Sequence, residues 1–328
     1  MSDGKIRVAV LYGGRSGEHE VSIRSAESIM AAMNPDRYEV TRIFITPDGR
    51  WDPQPIRPEP GVNPGIDVVF PVLHGTFGED GTVQGLLELA GLAYVGAGVL
   101  ASAVSMDKEV TKRLCRERGL PVVECVILTR GRLGTEAIGR ELAYPVFVKP
   151  ANLGSSVGIS KARNPDELER ALRLAAEYDR KIVVEREIVG REIECSVLGN
   201  ENPEAAVPCE ILPSREFYDY EDKYLLDRAG TVVPADLPPE TTEEVRRLAV
   251  ECYRAVECEG MARVDFLLEA ATSRLYINEI NTIPGFTSIS MYPKMWEAAG
   301  LSYSALIDRL IELALDRHAA RKATKFSR

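Results

Sequence analysis

Met261-Ala-Arg263-Val-Asp265-Phe266, a short polar turn, then Tyr276-Ile-Asn278-Glu279-Ile-Asn281: these two runs decide how the chain folds around its chemistry. Residues two apart in a strand share a face. Arg263 and Asp265 therefore point one way together, and so do Glu279 and Asn281. The connection at 270–274 is short enough for a hairpin. The register that sets Asp265 opposite Glu279 crowds all four polar side chains on one face and turns Val264, Phe266 and Ile280 to the core. Two carboxylates and a carboxamide so placed repel one another unless a cation lies between them. Oxygen-only donors select a hard ion, magnesium or manganese, whose shell nucleotide phosphates complete. Asp265, Glu279 and Asn281 are thus candidate metal ligands. The competing reading of any one of them is a solvated edge hairpin; the four together favour the metal.

Working outward, Lys149 closes the apolar run Tyr144-Pro-Val-Phe-Val-Lys149-Pro150, where its ammonium can reach a phosphate beyond the strand. Asn152-Leu-Gly154-Ser155-Ser156-Val-Gly158 follows. Two glycines and two serines free the backbone to fold over a ligand and donate N–H groups to phosphate oxygens. No Gly-Lys-Ser/Thr follows, so this is not a Walker loop. Gly96-Ala-Gly98-Val-Leu-Ala101 imitates a dinucleotide fingerprint, but the acid required roughly twenty residues on is replaced by the helix end Arg116-Glu117-Arg118-Gly119. A nicotinamide-dependent dehydrogenase stands as the competing enzyme class, and a non-catalytic nucleotide-binding module as a third hypothesis. Gly13-Gly14-Arg15-Ser16-Gly17-Glu18-His19-Glu20 follows the first strand, where ligands bind in α/β sheets, and Glu18 could hold an ammonium group there.

The first third alternates strands (6–12, 38–46, 66–72, 92–95) with helices after Ser22 and at 83–90, which predicts a parallel sheet with helices on its faces. Beyond it, strands are predicted at 120–128, 145–149, 181–186, 192–198, 205–212, 262–268 and 275–281. Helices are predicted at 166–178, 240–257 and 303–320. The expected organisation is an N-terminal α/β substrate domain (1–105), a central subdomain (106–184) and a C-terminal subdomain carrying the metal site (185–328). A net charge of −10 repels nucleic acid and anionic membranes alike. Six scattered cysteines and three histidines make no soft-metal site. The cysteines read as reduced core residues, and the chain as cytoplasmic.

The loop with Ser16, Glu18 and Glu20, the run His74-Gly through Gly78-Glu79-Asp80-Gly81, Ser105-Met-Asp-Lys108, and Lys149-Pro with Gly154-Ser-Ser-Val-Gly158 together resemble the D-alanine–D-alanine ligase family. So do Phe217-Tyr-Asp-Tyr-Glu-Asp-Lys223-Tyr224, Arg263-Val-Asp265, and Asn278-Glu279-Ile-Asn281-Thr-Ile-Pro-Gly285-Phe-Thr-Ser. The motifs cover nearly the whole chain in order. The resemblance implies an ATP-grasp fold, ATP with two magnesium or manganese ions, two D-alanines as substrates for peptidoglycan synthesis, and a homodimer. Lys108 and Lys149 would contact phosphates. Glu185, Arg186, Glu187 and Ile188 would bind adenine largely through backbone, and Glu192 the ribose. Asp265, Glu279 and Asn281 would hold the ions. Glu18 would bind the first D-alanine's ammonium, with Ser155 and Tyr224 completing a hydrogen-bonded chain. Arg263 and the Gly285 N–H would face the oxyanion. Lys223, counted also among the nucleotide contacts, would flank the second D-alanine with Ser290 and Met291, Ser290 lying near its carboxylate. The segments 154–158 and 214–227 are the expected lids, and tyrosine at 224 favours an amine as second substrate.

Overall fold

The computed structural model describes residues 4–135, 138–154, 157–212, 230–287 and 289–325. Its first unit grows from apolar β1 (Ile6–Gly13), which pairs in parallel with β2 (Tyr38–Ile45) on one side and β4 (Val68–Pro71) on the other. With short β3 (Trp51–Asp52) and β5 (Ala93–Tyr94) the order is β3-β2-β1-β4-β5. Strand order reverses at β1, so a crevice opens beyond its carboxyl end. The loops carrying Glu18 and His74 leave the sheet there, ahead of α1 (His19–Ala32) and α2 (Thr82–Leu89).

A second sheet is antiparallel, ordered β6-β9-β7-β8: β6 (Cys125–Thr129), β7 (Val146–Pro150), β8 (Ser160–Ala162) and β9 (Lys181–Arg186). The short helix α5 (Ile138–Glu141) precedes β7. Helix α6 (Pro165–Tyr178) starts where Asn164 accepts a hydrogen bond from the Glu167 N–H, with proline in its first turn. Its Leu168 and Leu172 pack on Val146, Val148 and Val184 in a core of their own.

The third sheet, also antiparallel, runs β13-β12-β10-β14-β15, with β11 (Glu204–Ala205) paired to β10. Its strands are β10 (Gly190–Gly199), β12 (Cys209–Leu212), β13 (Gly230–Val232), β14 (Gly260–Glu269) and β15 (Leu275–Asn281). One face is covered by α7 (Pro239–Ala255), together with α3 (Val99–Met106) and α4 (Lys108–Glu117). The last helices, α8 (Met291–Ala298) and α9 (Tyr303–Lys322), return to the start of the chain. Trp296, Leu306 and Leu310 share one core with Val8, Val10 and Phe70. Each such side chain, fully buried, contributes ~1.5–3 kcal/mol, so the two chain ends are held firmly together. The Tyr38 hydroxyl adds a 2.6 Å hydrogen bond to Asp308.

Two strand expectations need correcting. The predicted 120–128 strand begins only at Cys125, because Pro121 and Val122 instead meet Ile277 of β15, whose N–H donates to the Pro121 carbonyl at 2.8 Å. The predicted 205–212 strand is split into β11 and β12. Pro208 lies in the gap and has no N–H to give a ladder. No helix among the described residues is long and apolar enough to cross a membrane, and all six cysteines are free.

Candidate functional site

The hairpin β14–β15 takes the register in which Arg263 faces Asn281 and Asp265 faces Glu279. A register shift follows Asp265, so that Phe266 pairs with Ile277 and Asn278 is the extra residue. Such a bulge re-aims a side chain, and the Asn278 carboxamide oxygen accepts from Lys149 Nζ at 3.1 Å. Arg263 donates twice to Asp265, each at 2.7 Å, and lies 3.2 Å from Glu194. Asn281 Nδ2 donates to Asp265 at 3.0 Å. Glu279 stands 3.2 Å from Lys108. Among the described residues no three His, Cys, Asp or Glu side chains cluster as a self-sufficient metal site. The donors here, two carboxylates and a carboxamide oxygen, fit a hard ion that shares its shell with phosphates and water, as magnesium does.

Beside the hairpin lies a cavity of about 470 Å³, lined by Lys108, Lys149, residues 185–192, Asp265 and Glu279. That volume falls in the range of small-molecule sites. Three separate stretches build it. Helix α4 begins at Asp107, whose carboxylate accepts from the Glu109 and Val110 N–H groups, and Lys108 opens the helix. Lys108 Nζ also donates to the Leu153 carbonyl at 2.8 Å, tying α4 to the glycine-serine loop. Strand β7 delivers Lys149, and β9 delivers Glu185. The two buried groups meet at 2.7 Å. On its other oxygen Glu185 meets Lys112 at 2.8 Å. Burial opposes ionisation of Glu185, yet Lys112 and Lys149 outweigh it and push its pKa down to about 2. Burial likewise opposes the charge on Lys149, but Glu185, Glu279 and Glu192 raise its pKa. Arg186 and Glu187 are engaged elsewhere, with Glu269 at 2.9 Å and Lys161 at 2.7 Å respectively. Their side chains are thus committed to the protein, while residues 186–188 line the cavity.

A second cluster lies at the carboxyl end of β1. Gly75 has φ +72°, and a Cβ there would stand 2.7 Å from a Glu18 carboxylate oxygen. Only glycine leaves that carboxylate its place. The same oxygen is 3.5 Å from where a Cβ on Gly154 would sit, so the loop before Ser155 reaches Glu18. Across the crevice, residues 283–287 are held from several sides. Glu79 accepts from the N–H of Gly75 at 2.7 Å and of Ile283 at 3.0 Å. His74 Nδ1 meets the Ile283 carbonyl at 2.9 Å, and its Nε2 meets Ser25 Oγ at 3.1 Å. A carbonyl only accepts, so Nδ1 carries the proton and Nε2 takes the serine's. Burial lowers the pKa of His74 and keeps it neutral. Ser25 Oγ accepts from the Phe286 N–H at 3.2 Å, and the Tyr303 hydroxyl donates to the Phe286 carbonyl at 2.7 Å. Gly285 is thereby fixed between anchored neighbours. A Cβ on it would lie 2.8 Å from Ser290 Oγ, which itself accepts from the Thr287 N–H at 2.9 Å.

The sequence-predicted residues therefore divide. Lys108, Lys149, 185–188, Glu192, Asp265 and Glu279 line one cavity, with Asn281 bonded to Asp265. Glu18 lies by the glycine loop, and Gly285 with Ser290 forms a neighbouring group. Ser155, Lys223 and Tyr224 lie outside the described residues, as do most of the two expected lids. Lys112, Glu79 and Ser25 were not singled out from sequence. For Lys112 a signal existed: Lys108, Thr111, Lys112 and Cys115 are spaced as the buried stripe of a helix, with two lysines in it. The dinucleotide-like segment proves to be a packing device. Gly260 has φ +74°, and a Cβ on it would stand 2.9 Å from the Gly96 carbonyl oxygen. Arg317 donates to the carbonyls of Gly96 and Tyr94. Protein atoms thus occupy the approach a pyrophosphate would need.

Known proteins resemble this chain over nearly its whole length. The D-ala D-ala ligase N-terminus family model matches residues 7–61 and 57–97, and the D-ala D-ala ligase C-terminus model matches residues 114–312. A D-alanine–D-alanine ligase of Solibacter usitatus is 70% identical, spanning 99% of this chain and 100% of that protein. One from a Thermoanaerobacter species is 52% identical over 96% and 98%. The solved D-alanine–D-alanine ligase of Coxiella burnetii superposes with a TM-score of 0.87 at 40% identity, covering 97% of this chain and 96% of that one. The VanG D-Ala:D-Ser ligase of Enterococcus faecalis gives 0.85 at 36%, covering 94% and 99%. The fold is the ATP-grasp fold, preceded by a parallel-sheet domain. End-to-end relatives, matching family models and a shared three-sheet frame lead to one conclusion: the chain belongs to the D-alanine–D-alanine ligase family.

Proposed function

We propose that this chain uses ATP to join two D-alanines into D-alanyl-D-alanine, a peptidoglycan precursor, through an acyl phosphate. One observation carries the reading: lysines from α4 and β7 and carboxylates from β14 and β15 converge on a single cavity in a chain of this family.

A carboxylate does not acylate an amine at neutral pH, because oxide is a poor leaving group. Phosphoryl transfer from ATP makes it reactive. In this reading Lys108 and Lys149 hold the phosphates, the backbone of Glu185, Arg186, Glu187 and Ile188 holds adenine, and Glu192 the ribose. Asp265, Glu279 and Asn281 would hold two magnesium or manganese ions, which neutralise phosphate charge when bound. Glu18 holds the first D-alanine's ammonium, supported by Ser155 and Tyr224. Lys223, Ser290 and Met291 flank the second. Arg263 and the Gly285 N–H face the oxyanion formed when the second amine attacks. His74, Glu79 and Ser25 support that assignment by fixing residues 283–286, since donors that need not reorganise stabilise a transition state best. The division at 105/106 and 184/185, a cytoplasmic location and a homodimer belong to the same proposal.

The test is inorganic phosphate release from ATP and magnesium across D- and L-alanine, D-serine and D-lactate. D-alanine should support turnover and L-alanine should not. Equal rates with D-serine would move the second-substrate assignment toward the class named for the Enterococcus neighbour. Absence of release with every D-amino acid would refute the proposal.

A further inference from the structure

Glu185 is a buried carboxylate between two cations, and only one of them faces the ligand cavity. Lys149 lines that cavity and contacts one carboxylate oxygen at 2.7 Å. Lys112 stands one helical turn beyond Lys108, is 1% exposed, and contacts the other oxygen at 2.8 Å from behind. One cation suffices to neutralise one carboxylate. A second buried ammonium carries its own desolvation penalty, so its presence asks for a reason.

The reason lies in what Lys149 has to do. In the reading proposed above, it engages the phosphates of ATP, several negative charges at once. Were Lys149 the sole counter-ion of Glu185, turning toward phosphate would strip that carboxylate bare. A buried, uncompensated negative charge would then face the incoming anion across a low-dielectric gap. Lys112 does not line the cavity, so it stays paired with Glu185 whatever Lys149 does.

We propose that Lys112 is a positioning residue of the nucleotide site: a fixed counter-charge on Glu185 that frees Lys149 to bind the phosphate chain. This rests on the ATP-dependent reading, and it assigns to Lys112 a selective effect on the phosphate part of the nucleotide.

The experiment measures calorimetric affinities for the magnesium complex of a non-hydrolysable ATP analogue, and for adenosine as an uncharged control. Lys112→Met should weaken the analogue by about tenfold or more while adenosine changes less than about twofold. Lys112→Arg should retain most of the affinity. Because Glu185→Gln removes the charge that Lys112 compensates, Glu185→Gln and the double variant Lys112→Met/Glu185→Gln should bind the analogue within about twofold of each other. That comparison stands even if Lys112→Met alone does not fold. Wild-type affinity in Lys112→Met, equal losses for analogue and adenosine, or a full tenfold loss persisting in the Glu185→Gln background would each overturn the proposal. A wild-type protein that binds no ATP analogue would overturn the nucleotide reading itself, and this inference with it.

Discussion

Asp265 faces Glu279 directly across the β14–β15 hairpin, and the irregularity that follows Asp265 hands Asn278 to Lys149. The carboxylates are held apart by different cations, Arg263 on one and Lys108 on the other. Each carboxylate therefore has its own counter-charge, and both line the cavity that also carries Lys108 and Lys149.

Removing one of these charges should harm chemistry more than folding. Glu279→Gln keeps size and hydrogen-bonding reach and loses the anionic donor. Magnesium-dependent phosphate release is expected to fall by roughly 10²-fold or more, with the melting temperature close to wild type. Activity unchanged across a magnesium titration would refute the ligand assignment.

Arg263 binds Asp265 through two nitrogens and also approaches Glu194. Lysine cannot reproduce that fork. Arg263→Lys is expected to lower kcat by roughly 10²–10³-fold, while calorimetric affinity for a magnesium–ATP analogue shifts less than about threefold. An affinity loss matching the loss in kcat would place Arg263 with ground-state nucleotide binding instead.

Glu79 gives a pH signature. Burial, helped by the charge of Glu18, pushes its pKa from 4.5 up to about 8. The folded protein then holds a proton that the unfolded chain releases. Stability from this group is fully present below the unfolded value, and is lost as pH rises through about 8. Glu79→Gln removes the titration, so its melting temperature should fall less than that of the wild type between pH 5 and pH 8.5. Scanning calorimetry at several pH values decides it; parallel curves for the two proteins would contradict the assignment.

As far as Asp265 the hairpin register was legible, because two-residue alternation buries Val264 and Ile280 together, but the shift that follows at Asn278 breaks that alternation and was not. Strands 181–186 and 275–281 match their predicted bounds end to end for a different reason, a short run of consecutive buried residues rather than alternation. What stayed hidden was contact between distant segments. Nothing local says that Ser25 reaches Phe286, or that Glu79 reaches the Ile283 N–H, because these pairs form only once α1 and the 74–81 loop meet the C-terminal unit. The role of Gly96 was obscured differently. Its spacing fits a dinucleotide loop, but in the structure its φ is +93° and its carbonyl backs onto a tertiary partner, Gly260, where a Cβ would stand 2.9 Å away.

That partner gives the last prediction. Gly260 sits at φ +74°, where an L side chain is strained, and its Cβ would meet the Gly96 carbonyl oxygen at 2.9 Å and the Gly96 Cα at 3.1 Å. Both neighbours are backbone and have little freedom to withdraw. The left-handed conformation alone costs ~1–3 kcal/mol, and the contact adds to it. Gly260→Ala should therefore lower the urea midpoint by an amount corresponding to about 2–4 kcal/mol with an unchanged slope. A urea midpoint shifted by an amount corresponding to less than about 0.5 kcal/mol would contradict the close approach of Gly260 to Gly96, and a Gly96 that cradled a pyrophosphate would let the wild type alter the fluorescence of a reduced nicotinamide dinucleotide. The packing found here requires the opposite on both counts: a destabilised variant, and a wild-type titration with no fluorescence change.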